Sequence, residues 1–108
     1  MSEWVATGIA EGDLHPGEMR AASVAGLDIA FARTEEGVLA AFDQWCSHEE
    51  CPLADGDLEG DKVLCYCHSS EFDVWTGAVL RGPATDPIRV FEVNTVDGEL
   101  HVRIAGVA

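Results

Sequence analysis

Two short blocks hold the residues best able to do chemistry, Cys46-Ser47-His48 and Cys65-Tyr66-Cys67-His68. Each pairs one thiol with one imidazole, as C-x-H and C-x-x-H, and residues 49–64 lie between them. Soft thiolates and borderline imidazoles on two loops make a metal site. An equal mixture of the two suits either a tetrahedral zinc ion or a cluster of two irons and two sulfides. Zinc fingers of the two-Cys, two-His kind keep the Cys pair together and the His pair together. Here each block alternates them, as needed when both thiolates bind one iron and both imidazoles the other. The spacing favours the cluster.

Two such loops need short, tightly turned strands to hold them, and the rest of the chain has that rhythm. Residues 23–34 read as strand, turn at Ala25-Gly26, strand, and Glu35-Glu36-Gly37 connects to a further strand over 38–42. Near the end, strands over 90–96 and 100–104 meet at Asp97-Gly98, a pair suited to positive φ. There Leu100, Val102 and Ile104 alternate with Glu99, His101 and Arg103, giving one apolar and one polar face. No long segment carries a helical 3.6-residue repeat, and no internal repeat or low-complexity linker is present. The expected class is all-β.

With 108 residues, the chain is expected to form one domain, residues 1–108, with no room for a second catalytic one. A hydrophobic content of 47% with only four prolines points to a packed core rather than disorder. No window approaches the apolar length of a membrane span, and Met1-Ser2-Glu3-Trp4 lacks the features of a secretory leader. The expected location is the cytoplasm. Twenty acidic residues against six basic ones give a formal charge of −14, which excludes nucleic acid as a natural partner. Such a surface serves solubility, or it steers the chain toward basic patches on partners.

The paired blocks make the chain resemble the Rieske family, and within it the small soluble Rieske ferredoxins of multicomponent aromatic-ring dioxygenases. The likeness continues outside the blocks. Pro16-Gly17-Glu18 precedes two short strands, and Ala54-Asp55-Gly56 follows the first block. Gly82-Pro83-Ala84 and then Pro87-Ile88-Arg89-Val90 resemble the third loop over the cluster and the strand after it. The resemblance implies a Rieske fold: an antiparallel β-sandwich or barrel base with a small cluster-binding subdomain inserted at approximately residues 44–83. It further implies one [2Fe–2S] cluster, with Cys46 and Cys65 on the inner iron and His48 and His68 on the outer one. The two imidazole edges would be the electron exit and the docking edge for partners. Two ferric ions, two sulfides and two thiolates sum to no net charge with neutral imidazoles. A neutral centre accepts an electron more easily than an anionic four-thiolate cluster, so the potential lies at roughly −150 to +300 mV.

Other positions bear on tuning. In high-potential relatives a Ser and a Tyr hydroxyl donate hydrogen bonds to sulfur near the second block. Ser70 matches the Ser, whereas Phe72 stands at the Tyr position without a donor, which implies the lower half of the range. Ser70 has the alternative role of organising its own loop, and Ser69 stands where Gly is usual. Cys51 and Cys67 match a disulfide that links the loops of respiratory and photosynthetic Rieske proteins, although many dioxygenase ferredoxins lack the pair. The alternative is two reduced packing residues, since disulfides are rare in the cytoplasm. Pro83 is expected to restrict water near the irons. Trp45 either shields the cluster or, with more weight, packs under its loop, and Trp4 and Trp75 read as core or edge packing. His15 and His101 lie apart from any ligand set, so no second metal is expected.

The function these readings imply is a soluble electron-transfer ferredoxin, not itself an enzyme. It would take single electrons from a flavin-dependent ferredoxin reductase to a terminal Rieske non-haem iron oxygenase in aromatic hydrocarbon catabolism. Oxygenase chemistry would need a separate two-His, one-carboxylate iron site, for which only His15 and His101 remain. The alternatives are a small Rieske subunit of another oxidoreductase and a zinc-stabilised binding module. A monomer is expected from the small, acidic chain.

Overall fold

The computed structural model describes residues 2–47, 51–67 and 69–105. Ten strands follow in order: β1 Ser2–Ala10, β2 Met19–Val24, β3 Leu27–Arg33, β4 Leu39–Asp43, β5 Asp57–Glu59, β6 Lys62–Leu64, β7 Glu71–Asp73, β8 Val79–Arg81, β9 Val90–Val96 and β10 Glu99–Ala105. Single 3₁₀ turns sit at Glu11–Asp13 and Leu53–Asp55. Two antiparallel sheets result. One has six strands in the order β1-β10-β9-β4-β3-β2, and the other runs β5-β6-β7-β8. β1 approaches β2, so the large sheet nearly closes on itself as a barrel. The small sheet is inserted between β4 and β9. This is the all-β architecture that the strand rhythm predicts.

Local chemistry accounts for the hairpins. Ala25 and Gly26 have φ of 52° and 81°, and Asp97 and Gly98 have φ of 50° and 81°. Positive φ at both central residues matches the right-handed twist of the flanking strands, which closes β2 on β3 and β9 on β10 directly. The apolar face expected of the last strand is buried, with Leu100 and Val102 fully so.

β3 and β4 show why the two sheets stay together. Ile29, Ala30, Phe31 and Ala32 are all buried, so this strand is apolar on both faces rather than alternating. Ile29 and Phe31 point into the barrel core with Leu14, Val24, Leu100, Val102 and Ile104. Ala30 and Ala32 point the other way, into a second core with Phe42, Leu53, Val63, Phe72 and Val74. That second core also contains Cys46, Cys51 and Cys65. The loops bearing the thiols therefore stand on a packed floor shared by both sheets.

β1 was not legible as a strand. It pairs with β10 from Ser2 opposite Ala105 to Ala6 opposite His101, with a register shift before Ala10. Burial alternates along Trp4–Ala10, but the residue types do not: Trp4, Ala6 and Ala10 on the outer face are apolar, and Thr7 lies on the inner one.

Candidate metal centre

The first block closes on itself. Trp45 forms an isolated bridge with Pro52, and the Cys46 amide donates to the Cys51 carbonyl at 3.0 Å. Buried Gln44 anchors the base of this loop: its amide donates to the Asp28 carbonyl at 3.1 Å, and its carbonyl accepts from the Leu53 amide at 2.6 Å. Its side-chain oxygen accepts from the Ala54 amide at 3.3 Å, so this buried polar group is satisfied.

The second block repeats the closure. The Cys65 amide donates to the Ser70 carbonyl at 2.8 Å, and the Ser69 amide donates back to the Cys65 carbonyl at 2.9 Å. In both loops the cysteine at the first position is bonded to the carbonyl five residues on. Turning the second loop this tightly places Ser69 at φ 64°, a left-handed conformation that costs a non-glycine residue energy. That is where the sequence departs from the usual Gly.

Cys46 and Cys65 keep their thiols and are 4% and 1% exposed. Cys51 and Cys67 are joined by a disulfide, with Cα atoms 6.4 Å apart, which ties the two loops side by side. The sulfurs of Cys51, Cys65 and Cys67 lie within 4.8 Å of one another. A third loop, following β8, holds both blocks. The Ser47 hydroxyl donates to the Asp86 carbonyl, and the Ala84 amide donates to the Ser70 hydroxyl oxygen at 3.1 Å. The Gly82–Pro83 peptide is cis. The loop is seated from below by the Ile88 amide, which donates to the Gly77 carbonyl at 3.0 Å. A Cβ on Gly77 would overlap the Ile88 carbonyl oxygen, so only glycine permits this approach.

Among the sequence-singled residues, Cys46, Cys65, Cys51, Cys67 and Ser70 thus fall in one place. His48 and His68 lie outside the described residues. Buried, soft thiols on two loops of matching form fit the ligand set of an iron–sulfur cluster. Fully buried Phe72 belongs to the floor beneath, where it brings no hydroxyl.

Some expectations need correction. Trp45 does not pack under its loop: it is 43% exposed, held by its indole N–H donating to Asp28 Oδ2 at 3.0 Å. For Trp4 and Trp75, read as core or edge packing, the structure leaves the edge alternative, with Trp4 on the edge strand β1. Both are substantially exposed, and Trp75 donates its indole N–H to Asp61 Oδ1 at 2.9 Å. A polar indole N–H next to an available carboxylate favours a surface position over burial. His15 faces Glu18, with Nδ1 3.0 Å from Oε1. The His15 backbone N–H on that carboxylate is the main cause holding the Glu18 pKa below its ordinary value. The bonds of Ser47, Ala84 and Gln44 are not legible in the sequence, because they reach partners that only the fold brings near.

Comparison with known proteins agrees with this geometry. The family described as "Rieske [2Fe-2S] domain" matches residues 3–92. Ferredoxin CarAc of Metapseudomonas resinovorans is 35% identical over 94 residues, 86% of this chain and 87% of that protein. The ferredoxin component of the naphthalene 1,2-dioxygenase system of Pseudomonas putida is 33% identical over 92 residues, covering 85% and 86%. A solved structure described as a complex of reduced oxygenase and oxidised ferredoxin in carbazole 1,9a-dioxygenase superposes with a TM-score of 0.83. It is 33% identical, over 92% of this chain and 91% of that one. With the twin cysteine loops, the family match over most of its length and these relatives, the chain belongs to the Rieske [2Fe–2S] family, in the group that contains the ferredoxins of aromatic-ring dioxygenase systems.

Proposed function

We propose that this chain carries single electrons from a flavin-dependent reductase to a terminal Rieske non-haem iron oxygenase. Cys46 and Cys65 would hold the inner iron of its one [2Fe–2S] cluster, and His48 and His68 the outer iron. The cluster supplies a one-electron couple. The protein supplies the rest: buried thiols, a disulfide across the loops and a third loop bonded to both. This rigid surround keeps reorganisation small when the charge changes. The observation that carries the reading is the matched closure of the two loops, each with a buried cysteine at its first position.

Partners would dock at the His48/His68 edge. Tyr66, between Cys65 and Cys67 in the second block, is 59% exposed, and exposed aromatics of this kind serve as contact anchors. The formal charge of −14 favours a basic docking site and brief, salt-sensitive encounters. Among the described residues no helix is long and apolar enough to cross a membrane, and the reading places the carrier in the cytoplasm as a monomer.

Replacing Cys46 or Cys65 with Ser tests the ligand assignment. Iron content and the visible spectrum should both be lost, and a variant that retained them would remove the assignment. Stopped-flow transfer to a terminal oxygenase should slow as salt rises, since exposed charges are screened within about 8 Å at physiological ionic strength. A flat salt profile would relegate the acidity to solubility.

A second reading has one observation in its favour. The Cys51–Cys67 disulfide and the Ser70 hydroxyl together suit a small Rieske subunit of another oxidoreductase, working at a higher potential. The midpoint potential separates the two.

A further inference from the structure

β9 and β10 separate before their ends. Their register runs from Val96 opposite Glu99 to Glu92 opposite Arg103. Past that pair β9 stays with β4, at Phe91 and Val90, while β10 stays with β1, at Ile104 and Ala105. Where the two strands part, a cleft of about 640 Å³ opens at this end of the barrel. Sites for small molecules have volumes of roughly 300–1,000 Å³ and apolar walls with a few polar groups at fixed places.

The walls here are of that kind. Half-buried Leu27 and Phe91 line the cleft together with Ile88 and Ile104, which belong to the two cores. The rim is charged but balanced. Arg103 Nη1 lies 2.8 Å from Glu92 Oε2, and Arg89 holds Asp43 through Nε and Nη2, each 3.1 Å from Oδ1. The Arg89 guanidinium also lies over the Phe91 ring, 5.6 Å from its centroid. Thr76 adds a hydroxyl to the same rim.

From this combination we infer that the cleft is a binding site for a neutral, hydroxylated aromatic molecule of one or two rings. Apolar walls that include Phe91 favour a ring, which packs offset or edge-on against phenylalanine. The two guanidiniums at the rim oppose a cation. Their paired carboxylates and the formal charge of −14 oppose an anion, so a neutral molecule is selected. A hydroxyl both donates and accepts, and the rim offers partners of both kinds. The second carboxylate oxygen of Glu92 accepts, the guanidinium forks donate, and the Thr76 hydroxyl does either. Exposed ion pairs contribute little by themselves, so turning one toward a ligand costs little. Among the described residues, none from either cysteine block lines the cleft, and the inference is independent of the ligand assignment.

Calorimetric titration of the full-length, cluster-loaded chain with three naphthalene derivatives tests this. These are 1-naphthol, 1-naphthoate and 1-naphthylmethylammonium, which are neutral, anionic and cationic at pH 7. The expected result is saturable one-to-one binding of the naphthol, with both charged forms at least about tenfold weaker. Phe91→Leu should weaken naphthol binding by roughly two- to tenfold. Thr76→Trp, a bulky change at an exposed rim position, should abolish it and leave the visible spectrum of the cluster unaltered. If Phe91→Leu does not fold, Thr76→Trp and the charge series decide. No saturable naphthol binding, or a charged form binding as tightly, would overturn the proposal. Naphthol binding unchanged in Thr76→Trp would place it elsewhere on the molecule and overturn it as well.

Discussion

The amide of Ala84 donates to the hydroxyl oxygen of Ser70 at 3.1 Å, and both residues are buried. This bond fastens the third loop to the second cysteine block. It uses Ser70 as an acceptor, so the O–H of the same side chain is left to donate. Loop organisation and potential tuning, alternatives on the sequence alone, are therefore compatible in one residue.

Ser70→Ala should show both effects. Leaving the buried Ala84 amide without its acceptor should cost about 1–3 kcal/mol, read as a lower denaturation midpoint. The potential of the loaded protein should fall by tens of millivolts, because a lost donor destabilises the more negative reduced state. A stability loss with an unchanged midpoint potential would leave Ser70 as a loop residue only.

Ser69 tests the backbone of the same loop. Its φ of 64° favours glycine, so Ser69→Gly should raise the unfolding midpoint. Ser69→Val, with a branched side chain in that conformation, should lower stability by about 1–2 kcal/mol. Equal midpoints for the three proteins would mean that the loop relaxes without cost.

Reduction of the Cys51–Cys67 bridge should destabilise the chain. The residues are 16 apart in sequence, and closing a loop of about that length contributes roughly 3 kcal/mol. Urea unfolding of the cluster-free chain with and without a phosphine reductant measures the difference. Coincident curves would mean that the packed floor alone holds the loops.

An acid-sensitive pair braces the small sheet. Lys62 Nζ lies 2.8 Å from Glu71 Oε1, and Arg81 lies 3.6 Å from the other carboxylate oxygen. The hydrogen bond from Lys62 is the main cause of a Glu71 pKa below the ordinary value. The same bond raises the pKa of Lys62. A lowered carboxylate pKa gives stability that is present above the unfolded-state pKa and is lost as pH falls through the folded one. Glu71→Gln should therefore lower stability near neutrality, leave it little changed in acid where the wild-type carboxylate is protonated, and so flatten the acid limb of the stability profile. An unaltered acid limb would show that the pair contributes nothing.

How much of this was legible in the sequence depended on the range of the interactions. Asp97-Gly98 and Ala25-Gly26 announced their turns because positive φ is a local property. Cys46-x-His48 and Cys65-x-x-His68 announced a metal site because ligand chemistry is written in residue types. β1 is not legible because apolar Trp4, Ala6 and Ala10 stand on its outer face, and its partner β10 lies at the far end of the chain. The bonds from Ser47 to Asp86 and from Ala84 to Ser70 were invisible for a similar reason. They join loops that meet only after both sheets have packed on β3 and β4. Trp45 departs from its expected packing under the loop because hydrophobic type suggests burial, while Asp28 offers its N–H a partner at the surface.

The most direct test of the central claim is a redox titration of the loaded chain, followed by electron paramagnetic resonance. Cys46, His48, Cys65 and His68 as the ligand set predict one [2Fe–2S] signal, appearing with a single one-electron midpoint at roughly −150 to +300 mV. A colourless zinc protein, or a cluster titrating near the roughly −400 mV of four-thiolate ferredoxins, would contradict the account.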